Sequence, residues 1–157
     1  MDSNFERHLI AARYRQQAAV RLWQNGHTLQ ARYHFWLAGH LCTATWEESG
    51  DFFALEARTT PGTHPKWRAT RLARRYFLRA LSAAPSAALY TKVAAQHTAL
   101  RVLDCRPAAR IKHAQRAAAF ETMARRMRYR EVGWGRDSSV PPASCALQPR
   151  CAAPHGG

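Results

Sequence analysis

The fold class this sequence predicts is all-α, an antiparallel helical bundle of about five helices. Apolar residues recur at i, i+3, i+4 and i+7 through several long segments, Gly and Pro fall between those segments, and no run of alternating β-branched residues marks a strand. The chain of 157 residues matches one ordinary domain. That size argues against an enzyme with separate cofactor and substrate lobes. Apolar side chains at 46% against 22% charged ones are enough for a core and exclude a wholly disordered chain.

The first helix is expected to start after Asp2 or Ser3, both good N-caps, and to stop at Asn25-Gly26, with Ala11, Tyr14, Ala18 and Leu22 as its apolar stripe. A second helix is expected from Thr28 to near Gly50. Leu29, Tyr33, Trp36, Leu37, His40, Leu41 and Ala44 form one face, with Phe35, Ala38 and Cys42 on its other side. A helix apolar on most of its circumference belongs in the middle of a bundle. The segment DFFALEAR supplies one or two turns before the loop TTPGTHP, which ends at Pro65.

The third long helix runs from about Lys66 to Ala83 with the cleanest pattern in the chain. Ala69, Leu72, Ala73, Tyr76, Phe77, Ala80, Leu81 and Ala84 keep helical spacing, and Arg68, Arg71, Arg75 and Arg79 hold the opposite stripe. Beyond Pro85 a fourth helix covers 86–104, with Leu89, Val93, His97 and Leu100 inward. After the break at Cys105-Arg106-Pro107 a last helix covers Ala108 to Arg130, burying Ala114, Ala117, Phe120, Ala124 and Met127. Residues 1–136 thus form one basic helical domain. Residues 137–157, rich in Pro, Ser, Ala and Gly without periodicity, are expected to be a disordered tail.

Charge is unevenly placed. Residues 1–56 hold five basic and six acidic residues, whereas residues 57–136 hold 18 basic and three acidic ones, a net of +15. Of the 24 basic residues in the chain 21 are Arg, whose planar fork suits phosphate and carboxylate. Such a field attracts polyanions or acidic protein faces, although an Arg-rich face can also be merely solvated. The residues expected to meet nucleic acid are Arg68, Arg71, Arg74, Arg75 and Arg79 on the third long helix, and Arg125, Arg126, Arg128 and Arg130 at the end of the last. The five Trp read as core and loop anchors, but Trp67 and Trp134 flank basic segments and are placed to stack on bases.

Other chemistry is less well supported. His40 and His97 lie on apolar faces of different helices and are expected to be hydrogen-bonded core residues. Cys145, Cys151 and His155 have irregular spacing that does not make a zinc site, so no metal and no cofactor is expected. Cys42 and Cys105 are expected to stay reduced. Gly133-Trp134-Gly135 follows no strand and is no dinucleotide fingerprint. No stretch reaches the ~20 apolar residues of a membrane span, and the start MDSNFERHLIAARYR carries acids and no apolar signal core. A cytoplasmic protein with no membrane partner is expected.

Three segments resemble the HEPN domain, the higher-eukaryote and prokaryote nucleotide-binding family of small helical bundles. Residues 17–46, QAAVRLWQNGHTLQARYHFWLAGHLCTATW, are similar to that family's opening hairpin, in which a helix ends at a Gly-containing turn before an aromatic-rich helix. His64 is followed by a long amphipathic helix, and LRVLDCRPAARIKHAQRAAAFETM, residues 100–123, resembles the Arg-Pro turn and final helix of some members. The resemblance implies a HEPN-like bundle that binds nucleic acid. In the family's ribonuclease branch an Arg and a His form a metal-independent composite site across a homodimer, as in some toxin components. Arg106 and His113, with six residues between them, carry that spacing here. The imidazole would move protons at a 2′-hydroxyl and the guanidinium would stabilise phosphate charge. The family has a polar residue directly after the Arg, where this chain has Pro107, which favours the first helical position and sets Arg106 at the helix edge. The resemblance also implies an acidic protein partner as an alternative ligand for the basic face, such as an antitoxin or a nucleotidyltransferase subunit.

Overall fold

In a computed structural model, which describes residues 3–133, the chain is an all-α bundle. The expected tail, with Cys145, Cys151 and His155, and Trp134 lie outside the described residues. Among the described residues there are six helices and no strand: α1 (Ser3–Gln24), α2 (Thr28–Leu41), α3 (Ala44–Thr59), α4 (Thr63–Ala83), α5 (Ala87–Leu103) and α6 (Pro107–Gly133). None of these helices is long and apolar enough to cross a membrane.

The helices pack as three hairpins, α1–α2, α3–α4 and α5–α6, with α4 and α5 joining the second to the third. The first hairpin turns on Gly26, whose φ of 83° is one that only Gly adopts without strain. Gly26 N–H donates to the Trp23 carbonyl and His27 N–H to the Leu22 carbonyl, a Schellman closure. At the third hairpin, the Ser86 hydroxyl accepts from Leu89 N–H at 3.2 Å, and Glu131 of α6 accepts from Ala87 N–H at 3.1 Å. One end of α6 is therefore tied to the start of α5. Pro65 sits inside the first turn of α4, where its missing N–H breaks no helical hydrogen bond, so that helix starts at Thr63 and not after Pro65.

The expected second helix, Thr28 to near Gly50, is instead two helices, and DFFALEAR continues the second of them to Thr59. The chain turns at Cys42, which is extended at φ −147° and ψ 115°, and Thr45 returns both its N–H, at 3.0 Å, and its hydroxyl, at 2.8 Å, to the Cys42 carbonyl. The turn lays the Trp46 indole against the backbone of Gly39. A Cβ at that position would collide with the indole ring. Gly39→Ala is therefore expected to lower stability by about 1–3 kcal/mol, measured as a drop in the urea midpoint with an unchanged m-value.

The core sits between α4 and its neighbours. Ala69, Leu72, Ala73, Tyr76, Phe77, Ala80 and Leu81 are all buried, as their spacing predicts, and only Ala84, just past the helix end, is exposed. Phe53 of α3 stacks on Tyr76 at 5.4 Å, and Phe35 of α2 meets Phe53 edge-on at 5.0 Å. On α1 and α2 the inward faces differ from expectation. Ala12 and Ala19 are buried while Ala11 and Tyr14 are exposed, and Ala31, Phe35, Ala38 and Cys42 are buried while Leu29, Tyr33, Trp36, His40 and Leu41 are exposed. The cause is close helix approach: small side chains at the α1–α2 contact allow the backbones to meet, which turns the larger residues outward. The helix in the middle of the bundle is consequently α4.

Candidate nucleic-acid interface

Burying one stripe of α4 sets its arginines on the other side, because side chains three and four apart share a helix face. Arg68, Arg71, Arg75 and Arg79 are exposed, and Arg74 is half-buried. Two aromatic rings support this row. The Arg71 guanidinium lies over Trp67 at 4.5 Å, and that of Arg79 lies 5.9 Å from the Trp46 ring. Arg32 from α2 joins Arg71, Arg74 and Arg75 around a cavity of 290 Å³, closed at one side by His64 and Trp67. Arg32, Leu72 and Arg75 also line a neighbouring groove of 420 Å³ that reaches Arg79, Tyr33 and Trp36. Among the described residues, no carboxylate lines either space.

Arg74 is the unusual member. Its Nε is buried with no hydrogen-bond partner among the described residues. Burial first, then the positive charges of Arg71, Arg116 and Arg75, push its pKa down from the usual guanidinium value. A guanidinium stays protonated in a protein regardless, so the site holds an under-satisfied cation. Four acids of α3 are engaged elsewhere. Lys92 holds Glu47 at 2.9 Å and Asp51 at 2.8 Å, Glu56 accepts from the Trp23 indole at 3.1 Å, and Arg13 reaches Glu48 at 3.7 Å. Among the described residues, no α4 arginine makes an ion pair.

The other four expected contact residues stand apart. Arg125, Arg126, Arg128 and Arg130 are all exposed on the last turns of α6, where Arg128 donates to the Thr91 hydroxyl at 3.2 Å and Arg125 to the Thr122 hydroxyl at 3.4 Å. From Arg116, whose charge reaches Arg74, they lie a further ~14–21 Å along the helix at ~1.5 Å per residue. The nine arginines thus form two groups, a walled groove and an open comb. Of these two groups, the groove combines concavity, aromatic support and a cation unpaired among the described residues.

Arg106 and His113 each face a third residue. Arg106 stands directly before Pro107, the first residue of α6, as the Pro dictates. Its Nε and Nη2 donate to the two carboxylate oxygens of Asp104 at 3.1 and 2.9 Å, and its backbone N–H donates to the same group at 3.0 Å. This holds the buried Asp104 carboxyl far below its ordinary range. His113 points its Nδ1 at the Nδ1 of His97, 3.0 Å away. The partner of His97 is therefore His113 and not His40, which lies at the surface with its ring 4.1 Å from that of Trp36. Burial, Arg74, His113 and Arg116 bring His97 down to about 4, and burial together with Arg74 lowers His113. The pair is a neutral hydrogen bond pinning α5 to α6 beside the groove.

The sequence reading missed Arg32, Tyr33 and Trp36 of α2 as groove residues. The one signal that pointed to them was the doubly apolar α2, since a helix with two apolar faces leaves one uncovered unless it is central. Comparison of the chain with protein-family models, with characterised proteins and with solved structures finds no match.

Proposed function

We propose that this chain is a HEPN-like, nucleic-acid-binding helical domain that takes the phosphate backbone of its ligand in the arginine groove along α4. The observation that carries this reading is Arg74, half-buried, with an Nε that has no partner among the described residues, near Arg32, Arg71, Arg75 and Arg116 and without a carboxylate among the described lining residues. Grouping like charges costs energy in the free protein. A phosphate oxygen relieves that repulsion and supplies the missing acceptor in a charge-assisted hydrogen bond. The resemblance of the α1–α2 hairpin and of the Arg-Pro turn to HEPN sequences supports the same reading. The closed Arg106–Asp104 fork leaves the ribonuclease alternative without a free guanidinium at that position.

Arg71→Glu combined with Arg75→Glu is the test, because both side chains are exposed and their replacement leaves the core intact. Binding of labelled RNA and DNA oligonucleotides, followed by anisotropy across a salt series, is expected to weaken by about 100-fold or more. The log–log salt slope should become shallower by roughly two, at ~0.9 for each phosphate that is no longer neutralised. A slope and affinity equal to those of the parent would remove the groove from the interface. Parent protein that binds no oligonucleotide would leave the basic face to an acidic protein partner.

A further inference from the structure

We propose that the ligand of this groove is an unpaired strand, with at least one base stacked on the Tyr33–Trp36 edge of α2 while the adjoining phosphates lie against Arg32, Arg74 and Arg75. This rests on the nucleic-acid reading and narrows it. Tyr33 and Trp36 are 58% and 45% exposed, a large aromatic surface to leave in water. They lie three residues apart on one face of α2 and line the 420 Å³ groove together with Arg32, Arg75 and Arg79. The cavity containing Arg74 shares Arg32, Leu72 and Arg75 with that groove, so cation and ring surfaces adjoin.

Arginines alone would not distinguish ligands, since a duplex, a single strand and a sulfated polysaccharide all present anionic oxygens. Exposed rings do distinguish them. A duplex keeps the faces of its bases stacked inside, whereas an unpaired strand can place a base on an aromatic ring or on a guanidinium plane. Arg71, whose guanidinium carbon lies 4.5 Å from the Trp67 ring centre, adds a second stacking group in the neighbouring cavity. Charge complementarity favours the same occupant, since an acidic strand fills a channel whose lining residues include four arginines beside Arg68 in one part and three in the other and no acid in either.

The experiment compares three probes: a labelled oligonucleotide of about 12 nucleotides, within the footprint of single-strand binders, the same strand in a duplex, and heparin, which has charge and no bases. The parent protein is expected to bind the single strand at least ~10-fold more tightly than the duplex. Tyr33→Leu with Trp36→Leu keeps apolar bulk and removes both rings. It is expected to weaken single-strand binding by ~10- to 100-fold, the range for removing one or two base stacks, with heparin and duplex binding unchanged. Equal affinity of the parent for strand and duplex would overturn the inference, and so would a double variant that binds the strand like the parent. In either case a loss of binding to all three probes in the Arg71→Glu, Arg75→Glu protein would keep the nucleic-acid reading standing. Failure of the parent to bind any of the three probes removes both. Circular dichroism shows whether the ring variant folds, and if it does not, the strand-to-duplex ratio of the parent decides.

Discussion

Phe53→Ala is expected to lower the stability of the protein by about 3–5 kcal/mol, a large fraction of the ~5–15 kcal/mol that holds a domain of this kind folded. Phe53 is completely buried on α3. Its ring stacks on Tyr76 of α4 at 5.4 Å with an interplanar angle of 7°, and it meets Trp23 of α1 at 4.9 Å and Phe35 of α2 at 5.0 Å. Four helices therefore converge on one side chain. Truncation removes the transfer energy of the ring and leaves a cavity that rigid helix backbones cannot collapse to fill. Urea unfolding followed by circular dichroism measures the loss, with Phe5→Ala as the control. Phe5 is 60% exposed, and its removal is expected to stay within about 0.5 kcal/mol of the parent. Equal midpoints for the two variants would mean that the aromatic cluster is not the centre of the core.

Parts of this architecture were legible in the chain because a single helix carried all the information. In α4 the apolar spacing, the opposed arginines and the flanking Gly and Pro agree with one another, and the residues assigned to its core side are buried except Ala84, which lies just past the helix end. Leu89, Val93, His97 and Leu100 of α5 are likewise buried. Where two helices decide together, the sequence was ambiguous. The break between α2 and α3 carries neither Gly nor Pro at Cys42-Thr43; it is held by hydrogen bonds from Thr45 and by the seating of Trp46 on Gly39. Hydrophobicity favoured Leu29, Tyr33 and Trp36 as the inner face of α2. Packing chose Ala31 and Ala38, because small residues let α1 come close, and size counts there more than apolar character.

The candidate site divides in the same way. Arg68, Arg71, Arg74, Arg75 and Arg79 could be read from one stripe of one helix. Arg32 comes from the electrically balanced first third of the chain and Arg116 from another helix, so their addition is a product of tertiary packing. The spacing of Arg106 and His113 was correct as a count along the chain. Direction was not available from that count: Asp104 precedes Arg106 by two residues and closes on it, and His97 arrives from α5 to take His113.

That histidine pair sets the second large effect, a loss of about 3 kcal/mol of stability as pH falls from 7 to 4. His97 is 2% exposed and brought down to about 4 from an ordinary 6.5. Its surroundings favour the neutral ring: Arg74 arrives from α4, Arg116 and His113 from α6, and the nearest acid, Asp104, lies on the His113 side and is held by Arg106. A group with a depressed folded pKa contributes no penalty while both states are neutral, above pH 6.5. As pH falls the unfolded chain takes up the proton first, so stability declines through the interval from 6.5 to about 4 and this contribution then levels off. The lowered value of His113 acts in the same direction, while the Asp104 carboxyl acts at more acidic pH and falls outside this window. Replacing His97 with Phe keeps a flat ring against Phe120, which stacks on it at 5.6 Å, and removes the titrating nitrogen. Urea midpoints of the parent are expected to drop steeply between pH 6.5 and 4.5, with those of His97→Phe dropping much less, so that the difference between the curves follows the His97 proton. Parallel curves would show that His97 does not titrate differently in the folded and unfolded chain, and that the Nδ1 to Nδ1 contact is not a neutral hydrogen bond.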